Sequence, residues 1–396
     1  MTGHHHHLTA DLNANNSAAA QGLTDQLIAA VGPRRDDAWY RARLTPPGQG
    51  QRLRVVIDAD AANEIDDQFA LAWALLAPER LDVLAVYAAP FSFEHRRREM
   101  IRARDAQRHP AAASPADLEL LHLHAPRLAL AERRGWVLET LDLPVFNPPA
   151  VGMQRSFDEI LRVFEALRLP SAGRVFRGST GYLPGLNAPL HSQAVDHLIA
   201  TARATPADGP PLYVVAIGCV TNIASALLLA PDIARHIVVI WTSGYPSHAP
   251  YANFSLNLEQ DLLASQWLFD SGVPLVYLPG HHVGAQLRLS LPEMQAYVQG
   301  RGAMGDYLYH LYTHNPLWEF AGIDSFFAHS WVIWDVINIA WMLNPQWVPS
   351  ELVRTPRLDA DRRWQPDAGR HLMREAYGVQ RDAIFNDLFG KLDLVV

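Results

Sequence analysis

The sequence predicts an α/β fold, a mostly parallel sheet flanked by helices, with a helical C-terminal part. Two patterns carry that expectation. Short continuous apolar runs rich in β-branched residues recur along the chain, and each is followed by a stretch whose apolar residues return at helical spacing. Strands that are apolar throughout belong in a sheet covered on both faces, and strand–helix alternation suits parallel neighbours. In such sheets the loops leaving the carboxyl ends of the strands hold the site.

Residues 1–22, with the run His4 to His7 and an Ala/Asn/Ser-rich stretch, read as a tag and flexible tail, and order is expected from Leu23. LRVVID from Leu53 is the first strand, and DDQFALAWALL supplies its helix. LDVLAVYAA is the second strand, and FEHRRREMIRARDAQ is a charged helix over it. Near 108–188 the rhythm breaks at RHPAAASPADL, LPVFNPPAVG and RGSTGYLPGLNAP. These Pro, Gly and Ala clusters read as an irregular insertion inside one domain spanning 23–396. Alternation resumes with PLYVVAI, TNIASALLLA, HIVVIWTS, EQDLLASQWLF and VPLVYL. The tail from Gln266 reads as mainly helical, including SWVIWDVINIAWML and RDAIFNDLFGKL.

Composition narrows the function classes. The chain has 396 residues, and 33 Lys+Arg against 41 Asp+Glu give a net charge of −8, which argues against a nucleic acid polymer as partner. With 49% hydrophobic and 19% charged residues it can build a large core. No uncharged apolar run approaches the ~20 residues that span a bilayer, so no membrane partner is expected. One cysteine, Cys219, cannot form an intramolecular disulfide, and a cytoplasmic location is expected. No Walker-type loop and no Ser-His-Asp order is present.

The most informative segment follows the first strand, where Asp58, Asp60, Glu64, Asp66 and Asp67 fall within ten residues. Carboxylates crowded at a strand end raise one another's pKa unless something positive offsets them, and a hard divalent cation would do so. A solvated acidic loop with Asp66 capping the next helix explains the same residues. The two readings can coexist.

Here the sequence resembles the inosine/uridine-preferring nucleoside hydrolase family, whose signature DxDxxxDD stands as Asp58-Ala-Asp60-Ala-Ala-Asn-Glu-Ile-Asp66-Asp67, two residues longer. Ile217-Gly-Cys-Val-Thr-Asn-Ile-Ala224 is similar to the family's TGPLTNIA. Trp334-Asp335 through Asn344-Pro345 is similar to its HDPxAVAYLxDP. The resemblance implies hydrolysis of a nucleoside's N-glycosidic bond to free base and ribose by a calcium-bound water. It implies one Ca2+ held by Asp60, Asp67, Asp335 and the Ile217 carbonyl, with Asp60 also the general base. Asp66 would accept a hydrogen bond from the ribose 2′-hydroxyl, and Asn222 and Asn257 would complete the substrate contacts, Asn257 within the catalytic set.

The chain departs from the family pattern at three places besides the longer loop. Ala88-Ala89-Pro90 replaces a Gly-Asn pair that reaches the ribose, leaving Ser92 or Glu94 to substitute. Ser255-Leu256-Asn257 replaces Glu-Phe-Asn, so the carboxylate at the 5′-hydroxyl end is missing. Trp334 stands where many members have a histidine; it offers an aromatic face for a purine or modified base, or packs in the core with Trp331 and Trp341. His281, His282 and His329 either face the pocket or fix backbone, Arg177 either reaches substrate or is solvated, and Thr221 with Asn222 is expected to cap a helix. The alternative function is a catalytically weakened nucleoside- or ribose-binding protein of the same fold. A homodimer or homotetramer is expected.

Overall fold

The computed structural model describes residues 35–315, 317–321 and 330–394. The expected tail at 1–22, the start of order at Leu23, and His329 lie outside the described residues.

Eight strands form the central sheet: β1 Leu53–Ala59, β2 Leu81–Ala88, β3 Val175–Arg177, β4 Leu212–Ala216, β5 Ile237–Ser243, β6 Leu275–Pro279, β7 Ser350–Arg354 and β8 Leu372–Ala376. Their spatial order is β3-β2-β1-β4-β5-β6-β8-β7. Every pairing is parallel except that of β8 with the edge strand β7. The central strands are buried along their whole length, as their unbroken apolar runs require. Two large apolar clusters cover the faces, one built around Phe69, Ile337 and Trp341, the other around Leu198, Ile223 and Trp267. Strand order reverses direction at β1, between β2 and β4, and that switch opens a crevice at the carboxyl end of β1.

Two expectations are corrected. The stretch 108–188 is not irregular: it contains helices Pro115–Arg134 and Pro149–Ala166, and it supplies edge strand β3. Prolines at the first turns of both helices suit positions with no intrahelical N–H bond to lose, and Ser114 with Asp117 forms a capping box. The C-terminal tail is likewise not mainly helical, since β7 and β8 complete the sheet there. Val336–Leu343 and Arg381–Asp393 are helices as expected, but Ser330–Val332 is a strand paired with Arg288–Ser290.

Helix Glu94–Arg108 packs against Pro115–Arg134, and with Phe146, Leu317 and Phe320 the pair encloses a third, smaller apolar cluster. This unit stands beside the crevice and forms its outer wall.

Candidate active site

The ladders of β2 and β4 on β1 each run one residue past the strand end: Ala89 N donates to Ala59 O at 2.8 Å and Ile217 N to Asp58 O at 2.9 Å. The chain then turns tightly, with the amides of Ala62 and Asn63 both donating to Asp60 O, at 2.7 and 3.0 Å. Gln68, on the helix that follows, donates to Ala61 O and ties the turn down. That helix begins at Asp66 itself, with Ile65 as its cap residue and no side-chain cap, so Asp66 and Asp67 occupy the first turn rather than capping it. Carboxylates are favoured there by the exposed amides and dipole.

The acidic loop, the β4 end and the start of helix Val336–Leu343 meet at one cavity of about 260 Å³. Asp60, Glu64, Asp66, Asp67, the Ile217 turn and Asp335 line it together. One carboxylate oxygen from each of Asp66, Asp67 and Asp335 lies within 4.8 Å of the others. Asp60 stands beside this trio against Gly218, where a Cβ would come 2.9 Å from the Asp60 Cγ. Both oxygens of Asp67 and Oδ1 of Asp60 are buried with no hydrogen-bond partner. Buried acceptors without donors are costly, and several on one centre suit a cation as their partner.

Electrostatics agree with that fit. Burial, then repulsion from neighbouring carboxylates, pushes Asp60, Glu64, Asp67 and Asp335 well above the ordinary carboxylate range. Asp66 is pushed up to about 7 by burial, which the backbone amides of Asp66 and Asp67 partly oppose. A divalent charge among them would reverse the repulsion and favour the ionised forms.

The remaining predicted residues divide. Asn257 lines the cavity, but its amide donates to the Ile217 and Thr242 carbonyls at 3.1 and 3.2 Å, so it orients the Ile217 turn. Trp241 Nε1 holds the same turn through Gly218 O at 3.0 Å. Asn222 is fully buried off the cavity wall: its Nδ2 donates to Asp58 at 2.8 Å and its Oδ1 accepts from Ser179 N at 2.8 Å. Neither Thr221 nor Asn222 caps the helix; Thr221 begins it and donates to Asp261. Arg177 lies over Phe157 and bonds Gln154, away from the cavity. Ser92 and Glu94 are also off its wall, and Pro90 O accepts from the buried Cys219 thiol at 3.2 Å.

Trp334 faces the cavity rather than the core, edge-on to His281 with ring centroids 5.8 Å apart. His281 is pushed down to about 4 by burial, then by Arg96 and His282, which makes it neutral at pH 7 and a poor proton donor. His282 is off the wall, in a left-handed turn at φ 69°. Trp341 is core, whereas Trp331 lines the cavity and donates from Nε1 to Glu64 at 2.9 Å.

Sequence reasoning missed Gln260, Arg96 and Arg127; it named Glu64 only among the crowded carboxylates and Trp331 only as a packing residue. Gln260 donates to Asp60 Oδ2 at 3.3 Å, while its own oxygen accepts from Ser92 N and the Tyr182 hydroxyl. Its position next to Asp261 in a polar run was the available signal. Arg96 and Arg127 reach the cavity from the two wall helices; the first reads from sequence as a charged helix, and the second falls in the stretch expected to be irregular.

Similarity to known proteins agrees with this geometry. No curated protein matches the chain. In fold it is similar to a plant nucleoside hydrolase at 17% identity, over 87% of this chain and 99% of that one, with a TM-score of 0.55. It is similar to a purine-preferring ribonucleoside hydrolase from Gardnerella vaginalis at 17% identity, over 86% and 98%, with a TM-score of 0.56. A third solved structure, an inosine-guanosine nucleoside hydrolase, is similar at 14% identity, over 87% and 100%, with a TM-score of 0.57. The sequence model of the inosine-uridine preferring nucleoside hydrolases matches residues 137–382, more than half of the chain, leaving the acidic loop outside the matched span. With that match added to a parallel sheet whose carboxyl edge gathers Asp60, Asp66, Asp67 and Asp335, the chain belongs to the inosine-uridine preferring nucleoside hydrolase family.

Proposed function

We propose that the protein hydrolyses the N-glycosidic bond of a nucleoside, with a purine or modified base preferred, to free base and ribose. The observation that carries this reading is Asp67, both of whose buried oxygens lack a partner, set within 4.8 Å of Asp66 and Asp335 on a cavity that Trp334 also lines. Asp60, Asp67, Asp335 and the Ile217 carbonyl would hold a calcium ion, an oxygen-only donor set of the kind calcium takes. Bound there, it would supply positive charge to grip the ribose diol and to acidify the attacking water.

The chain's own groups do the rest. Asp60, steadied by Gln260, takes the proton from the attacking water. Asp66 accepts the 2′-hydroxyl hydrogen bond, and the surrounding carboxylates stabilise oxocarbenium character at C1′ as the bond to the base breaks. Trp334 offers its face to the leaving base, and Glu64 fixes Trp331 beside it. A weakened binder of the same fold is the second reading, favoured by the Asn257 amide being spent on two backbone carbonyls.

A nucleoside panel incubated with and without chelator, read by chromatography, tests both. Free base released only without chelator supports the enzyme; tight nucleoside binding with no base released in any sample supports the binder. Calcium at 100 times its Kd should stabilise the wild-type protein by about 2.7 kcal/mol through linkage. Asp67→Asn should abolish the matching rise in thermal midpoint, and an unchanged calcium titration refutes the ligand assignment. The buried free Cys219 fits the expected cytoplasmic location, and sedimentation tests the expected homodimer or homotetramer.

A further inference from the structure

The wall opposite in chemistry to the acidic loop is basic, and its charges do not balance. Two carboxylates, Glu99 and Glu259, meet three guanidinium groups there, those of Arg96, Arg127 and Arg362. Arg362 bridges both carboxylates at 3.1 and 3.3 Å, and Arg96 holds Glu259 at 2.7 Å. Counted over this wall alone, one positive charge remains, and Arg96 also acts on Glu64 across the cavity. The remaining charge resides on Arg127, which forms no ion pair among the described residues and whose one hydrogen bond is a long 3.4 Å contact from Nη1 to His124 Nδ1. The other ring nitrogen of His124 faces Glu99 at 3.1 Å, which leaves Nδ1 as the acceptor. Arg127 lies 5.2 Å over the Phe320 ring and lines the cavity, and its remaining donors have no hydrogen bond among the described residues. Burial, and next the neighbouring Arg96, pushes Arg127 down to about 10, so it stays charged at pH 7.

Two guanidinium groups on one cavity wall, one of them without an ion pair among the described residues, are of the kind that receives an oxyanion. We propose that the substrate of this site is an N-riboside carrying an oxyanion, with a 5′-phosphate of the ribose as the group that Arg96 and Arg127 receive. This rests on the N-ribohydrolase reading above and narrows its substrate to ribonucleoside 5′-monophosphates. The 5′ position is favoured over the base because the reading above gives the base to Trp334 and the 2′-hydroxyl to Asp66, which leaves the ribose 5′ end for this wall, where Arg96 is anchored to the carbonyl of Phe254 at 3.1 Å. The next residue, Ser255, lines the cavity with a neutral hydroxyl where a carboxylate would repel phosphate. The reaction balances as hydrolysis. The C1′–N bond breaks with its electron pair going to the base, and water forms the new C1′–O bond; the proton that the water gives to Asp60 is passed on through solvent to the base nitrogen, which leaves Asp60 ionised again. Ribose 5-phosphate is the second product.

The test compares matched pairs, inosine with inosine 5′-monophosphate and uridine with uridine 5′-monophosphate, with orotidine included as a nucleoside whose carboxylate is on the base. The wild-type kcat/KM should favour the monophosphate of each pair at least tenfold. In Arg127→Gln that ratio should collapse at least tenfold, mainly through KM, and Arg127→Lys should restore part of it. A wild-type ratio of one or below overturns the proposal while leaving the hydrolase reading intact. So does a ratio that Arg127→Gln leaves unchanged in a variant with wild-type thermal midpoint. Preference for orotidine over uridine with none for uridine 5′-monophosphate overturns the 5′ assignment. Should no compound release base, the hydrolase reading fails, and calorimetry decides this proposal separately. Tighter binding of inosine 5′-monophosphate than of inosine, weakened by Arg127→Gln, then supports it, and equal binding overturns it.

Discussion

Adding one methyl group at Gly218 tests whether Asp60 is a working carboxylate. A Cβ there would sit 2.9 Å from Asp60 Cγ, 3.0 Å from Oδ1 and 3.1 Å from its Cβ, whereas ordinary contact begins at 3.4 Å. Asp60 must therefore retreat by about 0.5 Å. It cannot do so in place, since it is fully buried and Gln260 holds Oδ2 from the other side. Overpacking of this size costs about 1–3 kcal/mol. A displacement of ~1 Å in reacting geometry can cost ~100-fold in rate, so half of that predicts roughly a tenfold loss. Gly218→Ala should then lower kcat about tenfold with only a modest fall in thermal midpoint, and calcium affinity should weaken with it. Gly178→Ala is the contrasting control. Its Cβ would meet the Ala88 backbone carbonyl at 2.0 Å and the Asn222 amide at 2.5 Å, so it should mainly unfold the protein. A folded Gly218→Ala with kcat within twofold of wild type would refute the role given to Asp60.

Trp334→Ala should reduce cleavage of purine compounds by roughly 10- to 100-fold, the loss of one base–aromatic stack at ~1–3 kcal/mol, while calcium affinity holds and Trp334→Phe retains part of the activity. Equal effects on purine and pyrimidine substrates in steady-state assays would show that the indole does not select the base. At low pH, Glu259 governs the wall: burial raises it, but Arg96, His95 and Arg362 together override burial and hold it at about 2, against an ordinary 4.5. Because its folded value is depressed, its stabilisation is present above pH 4.5 and is lost as pH falls toward 2. The gap is worth about 3 kcal/mol. Acid unfolding monitored by circular dichroism should accordingly shift to higher pH in Glu259→Gln, and an unchanged midpoint would count against the buried ion cluster.

The acidic loop was legible because carboxylates so dense at a strand end have few physical explanations, and the apolar runs of β1, β4, β5 and β6 could hardly be anything but buried strands. What escaped had a local reason to escape. Helix Pro115–Arg134 carries Pro126 in its interior and buries only a thin stripe, including Leu120, His124 and Leu128, so its period is faint. Strand β7 lies at the sheet edge with no fully buried residue, and β8 mixes Arg374 and Glu375 into its run, so neither shows the apolar signature of the interior. Arg374 is admitted because carbonyls at Leu44 and Ser350 receive its guanidinium, a compensation visible only after folding. Gln260 lies 200 residues from Asp60, and no local pattern announces such a pairing.

Three consecutive residues show how the site is held. Asp261 caps the helix Leu262–Asp270 through Ala264 N at 3.0 Å and also accepts from Leu183 N and the Thr221 hydroxyl, which fixes the segment to the body of the protein. From that anchor Gln260 points to Asp60 on the acidic side of the cavity, and Glu259 gathers His95, Arg96 and Arg362 on the basic side. A shift of this one short segment would move Asp60, the proposed general base, and the Arg96 wall together. Substitutions at Asp261 should therefore impair turnover of nucleosides and their monophosphates alike, whereas changes at Arg127 should separate the two.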